Sequence, residues 1–362
     1  MKITEHLVAD TESEALEDLH RLGCTDGLPV VIPTPERVGA LVAASGLDGD
    51  LVLATVGPAG GLATVEKVAA NAVMAGCSSD HLPVVLAALQ AVCDERFDLT
   101  EVQSTTHCLA PLLIVNGPAR QACGEIASGF GALGPGHRAN ASIGRALRLC
   151  MINIGGGRPG ISDMALLGHP GKFTYVLGEA EEESSFPPLH TSLGFTAEQS
   201  AVTVVGVEAP QSVISVPSAD PVESAQRLLA SLATVVASPA HNNATFANGT
   251  QVVILNPDHA RVFADAGMDR ATIQDALVER SANRRGDLRR LNPSFVPPGD
   301  DDDLLRALRF RESAIVMVAG GGGVYSMVVP SWGAGPHGNL AITKEIDLFP
   351  SCEIPFMSEP AG

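Results

Sequence analysis

Four stretches of the chain gather residue types that can hold an anion or move a proton. The densest is GFGALGPGHRANASIGR (129–145). Glycines at 129, 131, 134 and 136 let backbone amides approach a ligand, and a helix is expected to open directly behind them. Its free N–H groups and positive dipole end suit an anion. His137, Arg138, Asn140, Ser142 and Arg145 add donors, with Arg138 and Arg145 seven apart on one helical face. The stretch lacks the GK[ST] ending of a phosphate-binding P-loop. It matches the dinucleotide G-x-G-x-x-G pattern in letters only, because no strand clearly precedes it and no helix opens at its last glycine.

The second stretch, STTHCLAPLLIVNGP (104–118), sets Ser104, Thr106 and His107 before an apolar strand, at the expected mouth of a pocket. His107 suits a base, a ligand or a satisfied structural imidazole. Cys108 is its neighbour, and adjacent residues on a strand point to opposite faces, so a direct Cys108–His107 couple is not expected. The third, SDMALLGHPGKFTYVLGEAEEESSFPPLH (162–190), concentrates Asp163, His169, Lys172, Glu179, Glu181, Glu182 and His190. Its histidines and carboxylates suit an acid–base pair or a divalent metal, although no fixed metal-binding spacing occurs. The turn HPGK is expected to present His169 and Lys172 into a cleft, and Glu179 and Glu181 share a face if they lie on one strand. The fourth is Glu66, Lys67 and Asn71 on the helix that ends at Cys77. A helix C-terminus raises a thiol pKa, which argues against a nucleophile there. Late in the chain, AGGGGVYSMVVPSWGAGPHG (319–338) offers Tyr325, Ser326, Trp332 and His337 on a glycine-rich loop or hairpin.

The elements that must carry these residues alternate. Helices are expected over 11–22, 35–44 (Thr34 cap, Pro35 at the first position), 64–76, 82–93, 139–152, 220–236, 258–266 and 270–282. Strands are expected at 51–56, 111–116, 173–177, 200–207, 211–216, 251–256, 314–319 and 324–329, the pair 200–207 and 211–216 forming a hairpin. Residues 283–303 read as an exposed connection. The class is therefore α/β, with mixed sheets, flanking helices and room for two similar α/β units. Segments 57–77 and 134–154 echo one another as Gly-Pro, small-residue loop and helix. A divide near 195 separates residues 1–195, holding most candidate site residues, from 196–362.

With 362 residues and 45% hydrophobic content the chain can bury a large core. A formal charge of −18 and 4% aromatic residues argue against a nucleic-acid partner. Seven cysteines, irregularly spaced and without a C-x-x-C pair, fit reduced thiols in the cytoplasm rather than a disulfide scaffold or a zinc finger. The charged N-terminus has no apolar core like that of a signal peptide, and no run of about 18 apolar residues suggests a membrane span.

DGLPVVIPTPERV, KVAANAVMAGC, STTHCLAPLLIVNGP, GFGALGPGHRANASIGRALR, NIGGGRPG and SDMALLGHPGKFTY together resemble a broad family of uncharacterised bacterial proteins, over roughly residues 25–195. That family is loosely associated with neighbours carrying a (seleno)cysteine-Gly-Ser-Cys motif, which this chain lacks. The resemblance brings no catalytic assignment with it.

The expectation is an enzyme for a small polar or anionic metabolite, a homo-oligomer being compatible. His107 or His169 would work with Glu179 or Glu181 in hydrolytic or lyase chemistry, and Ser104, Thr106, His137, Arg138, Asn140, Ser142, Arg145 and Lys172 would bind substrate. Thiol redox chemistry at Cys77 or Cys108 is the second reading, and a non-catalytic subunit of a complex the third. The cofactor is open, a divalent metal being the one these side chains could hold.

Overall fold

The computed structural model describes residues 8–349; residues 1–7 and 350–362, with Cys352, lie outside it. The strands in chain order are β1 (Val52–Val56), β2 (Gly61–Thr64), β3 (Ala110–Asn116), β4 (Val176–Gly178), β5 (Ala201–Val207), β6 (Gln211–Ile214), β7 (Gln251–Leu255), β8 (Ala282–Arg284), β9 (Leu304–Arg306), β10 (Ala314–Val318), β11 (Tyr325–Val329) and β12 (Ile342–Glu345). Two four-stranded mixed sheets, ordered β12-β5-β3-β4 and β10-β7-β11-β6, form the centre.

Their strands are apolar on both sides, and the period of two sends alternate residues to different layers. Leu112, Ile114 and Val205 of the first sheet meet Val252, Ile254 and Met317 of the second in a shared inner core. The intervening Leu113, Val115 and Val204 face helices Val65–Met74, Leu82–Val92 and Arg138–Asn153. Val253, Leu255 and Val316 face helices Pro221–Val236, Pro257–Asp265 and Arg270–Arg280. The result is four layers: helices, sheet, sheet, helices.

Both sheets are laid down by one path. A central strand (β3 or β7) is followed by a helical crossover to a parallel neighbour (β4 or β10). An antiparallel strand (β5 or β11) then pairs on the other side of the centre. These are the two similar α/β units. The repeat is not the echo between 57–77 and 134–154, whose helices belong to one unit and pack on each other.

The fourth strands are exchanged. β6 follows β5 yet pairs with β11, and β12 follows β11 yet pairs with β5. The hairpin expected from 200–207 and 211–216 is therefore not formed. β5, buried along its whole length, is already held between β3 and β12, whereas the mostly uncovered β6 sits at an edge of the other sheet. The expected divide near 195 is crossed by the first sheet, which combines β3 and β4 with β5 and β12.

Local signals place several helices correctly. Thr34 accepts from Arg37 N–H, Asp220 from Val222 N–H and Asp269 from Thr272 N–H, each at an N-cap. Segment 283–303 is more ordered than expected. It holds the last two residues of β8 and a helix, Arg285–Leu291, and its acidic run closes back on the basic patch through Arg285–Asp303 and Arg289–Asp301 ion pairs.

Candidate active site

The register of β3 against β5 decides what can meet. Ala110 pairs with Val207, so the residues just before β3 and just after β5 emerge together. At that end His107 Nε2 lies 3.1 Å from Glu208 Oε1. The backbone N–H of His107 donates to Thr105 Oγ1 at 3.2 Å, and its Nδ1 is 2.9 Å from Asn242 Nδ2, which also donates to the Trp332 carbonyl. The expectation that His107 and Cys108 face apart fails because the strand begins only at Ala110. Both residues lie on the bend before it, and their ligand atoms are within 4.8 Å of each other and of the Glu208 carboxylate.

Segment 163–172 packs against this bend, with Leu166 N–H donating to the Thr106 carbonyl at 3.0 Å. The HPGK turn places both His169 and Lys172 on one cleft, as its residue types suggest. His169 Nδ1 accepts from Gly171 N–H at 3.1 Å, which leaves the ring proton on Nε2. Gly171 is needed there: an added Cβ would lie 2.6 Å from His169 Cε1 and 2.7 Å from Tyr175 Cδ1. Lys172 Nζ pairs with Asp163 at 2.7 Å.

These residues line a cleft of about 760 Å³ whose other walls include Asp26, Arg148, Arg158 and Phe173. The glycine run 155–157 lets the wall pack closely: an added Cβ would come within 2.5 Å of the Gly57 carbonyl at Gly155 and 2.1 Å of Gln103 Oε1 at Gly157.

The electrostatics of the cleft are unbalanced. Asp26 is taken by Arg145 at 2.7 Å and Asp163 by Lys172. Arg148 is only 8% exposed, and its Nε donates to the Lys172 carbonyl at 2.6 Å. Among the described residues no carboxylate lies within 4 Å of Arg148 or Arg158. Burial pushes the Arg148 guanidinium pKa down, with Asp163 and Asp26 opposing. Burial also lowers Lys172, against the pull of its Asp163 partner. His169 is lowered by burial first and then by the nearby Lys172 and Arg148 charges, against a backbone hydrogen bond with Val207 and the Glu208 charge, so its neutral form is favoured.

Several expected site residues are elsewhere. Glu179 and Glu181 sit past the far end of β3, about 20 Å from His107 for a strand of this length. Glu179 is fully buried, accepting from Asn116 Nδ2 and Leu189 N–H at 2.6 Å each and from Arg270 Nη2 at 3.1 Å. Glu181 accepts from Gly117 N–H and Arg120. Neither carboxylate can reach His107, whose partner is Glu208.

The glycine-rich loop 129–137 contributes no wall to the cleft. Arg138 is exposed and donates to the Gly76 carbonyl at 3.1 Å, while Arg148 lies about 15 Å further along the same helix. Asn140 is a buried hub, bonded to the backbone of Ala127, Ala132 and Val176. Ser142 Oγ also donates to the Gly76 carbonyl, and Arg145 is committed to Asp26 and two carbonyls. His137 caps the helix without a side-chain bond, and the Ser104 hydroxyl returns to the Thr100 carbonyl. Thr106 remains exposed at the bend.

Asp26, Arg148, Arg158, Glu208 and Asn242 were not singled out from sequence. Arg148 alone carried a signal there, as a single charge within the apolar run ALRLCMI.

The thiols divide by burial. Cys77 is pushed up to about 12 by burial, and Cys150 is raised further in the same direction. Cys108, half-buried, is raised by burial and by Glu208. Iodoacetamide at neutral pH is expected to label Cys108 slowly, and Cys77 and Cys150 only after denaturation, as read by peptide mass spectrometry. Prompt labelling of Cys77 in the folded chain would contradict this.

Comparison with protein-family models, with curated proteins and with solved structures finds no match to this chain. No helix of the described residues is long and apolar enough to cross a membrane.

Proposed function

We propose that the chain is a cytoplasmic enzyme that binds a small anionic metabolite in the cleft and acts on it by acid–base chemistry of the hydrolytic or lyase kind. The observation that carries this reading is Arg148, a guanidinium buried in the wall with no carboxylate within 4 Å of it among the described residues. Such a charge is costly unless an anion arrives to pair with it. Arg148 and Arg158 would grip a carboxylate or phosphate, Arg148 by its planar fork. Lys172, with its pKa brought down, suits proton transfer, and Asp163 orients it. His169, neutral and with its buried Nε2–H toward the Val207 carbonyl, would position the HPGK turn that carries Lys172.

The thiol reading is disfavoured, because burial and Glu208 both hold Cys108 in its protonated form.

Isothermal titration with inorganic phosphate and with short mono- and dicarboxylates tests the proposal. At least one is expected to bind wild-type protein, and Arg148→Gln to weaken it by about 10- to 150-fold, the loss of a charged hydrogen bond of roughly 1.5–3 kcal/mol. The Tm of the empty Arg148→Gln protein should hold or rise, since an unpaired buried charge is removed. An anion affinity that does not change, or a sharp fall in Tm, would make Arg148 a structural residue and remove the basis of the reading.

A further inference from the structure

Beside the cleft, and independent of what the cleft binds, three different donor types converge: an imidazole nitrogen of His107, the thiol of Cys108 and a carboxylate oxygen of Glu208, all within 4.8 Å of one another. Among the described residues this is the one such grouping of three. We propose that it is a binding site for a divalent transition metal of zinc type.

Three observations support it. The spacing is right. A tetrahedral ion with bonds of about 2.0–2.3 Å holds its donors about 3.3–3.8 Å apart, and His107 Nε2 and Glu208 Oε1 are already at 3.1 Å. The donors are unfinished. Glu208 Oε1 is buried and has no well-aligned hydrogen bond; its polar neighbour is the His107 imidazole at 3.1 Å. The charge closes. A thiolate and a carboxylate together carry −2, which one divalent cation neutralises, and the mixed sulfur, nitrogen and oxygen set suits zinc better than magnesium or calcium.

The backbone fixes this juxtaposition, because Ala110 pairs with Val207 and the three residues leave the two strands at the same end. The ion takes Nε2 of His107, the Cys108 thiol loses its proton to solvent, and Nδ1 carries the imidazole proton. Asn242 then turns its amide so that the oxygen accepts from Nδ1, giving up the bond to the Trp332 carbonyl. With three protein donors a fourth position stays open, as in zinc sites that bind water or substrate. Lys172 is close enough for its charge to act on Cys108, so the metal site adjoins the cleft.

The test is a titration of chelator-treated full-length protein with Co²⁺, followed by displacement with Zn²⁺. The expected result is one Co²⁺ per chain, with visible bands of low-symmetry cobalt and a near-ultraviolet thiolate-to-cobalt band. Cys108→Ser should abolish the thiolate band. His107→Ala and Glu208→Gln should each weaken Co²⁺ binding by at least about tenfold, with folding checked by circular dichroism. Asn242→Asp, which offers a carboxylate to Nδ1–H, should tighten binding, since such partners raise ligand basicity. In wild-type protein Zn²⁺ should also protect Cys108 from iodoacetamide, a readout that needs no variant. A thiolate band that survives in Cys108→Ser, absence of any thiolate band in wild-type protein, or alkylation of Cys108 unaffected by Zn²⁺ would each overturn the proposal.

Discussion

Lys172→Met is expected to lower kcat on the anionic substrate by about 10²- to 10⁴-fold, the usual contribution of a positioned acid–base group, while anion affinity falls far less. The separation follows from the cleft. Among the described residues Arg148 and Arg158 have no carboxylate within 4 Å, whereas the Lys172 charge is already answered by Asp163 at 2.7 Å. Burial brings the Lys172 pKa below its ordinary 10.5, so more neutral amine is present near neutrality than on an exposed lysine. If the amine is the base, kcat/KM rises with pH through the lowered pKa. Asp163→Asn removes the ion pair that holds the proton on, so the rising limb should move to lower pH. A limb that stays in place in Asp163→Asn, or a Lys172→Met enzyme with full kcat, would show that the proton is moved by another group.

The largest stability effect is expected at Glu179. Its carboxylate is fully buried and is, among the described residues, the only one paired with Arg270, itself nearly buried beneath the second sheet. Glu179→Ala should cost about 3–5 kcal/mol, because it strands the Arg270 guanidinium and removes the acceptor for Asn116 and Leu189. For a chain of this size that is a fall in Tm of about 4–7 °C. Glu179→Gln with Arg270→Met removes both charges together and should cost clearly less than the sum of the two single changes. Equality with the sum would mean that the two side chains act independently. The prediction also separates Glu179 from the chemistry. Substrate affinity per folded molecule should be unchanged in Glu179→Gln, whereas a catalytic carboxylate would affect turnover before stability.

Features set by neighbours in the chain were readable from sequence, and features set by sheet register were not. Thr34, Asp220 and Asp269 cap helices through bonds to residues two or three positions ahead, so spacing alone identifies them. The HPGK turn is equally local and does bring His169 and Lys172 to one cleft. The Glu208 site has no local signature, since it depends on Ala110 meeting Val207, which lies 97 positions further along the chain. Glu179 and Glu181 were attractive because they are close to His169 in sequence. The intervening strand β4, parallel to β3, carries them to the opposite end. Arg138 and Arg148 illustrate the same limit. Glycines before Arg138 advertise an anion site, but the cleft opens where the later part of the helix meets the loops 23–27 and 157–173.

The exchange of β6 and β12 has a consequence for biogenesis. As the chain leaves the ribosome, β3, β4 and β5 can associate early, but the outer edge of β5 waits for residues 342–345, made more than a hundred residues later. Until then an apolar strand edge is open to other nascent chains, the condition under which edge-to-edge association competes with folding. Each half also holds the other's last strand. A nick in the 215–219 connection, between β6 and the helix Pro221–Val236, would leave two fragments bound as a clasped pair, like two subunits that have traded an arm. The fold thus has the form of a swapped dimer written into a single chain.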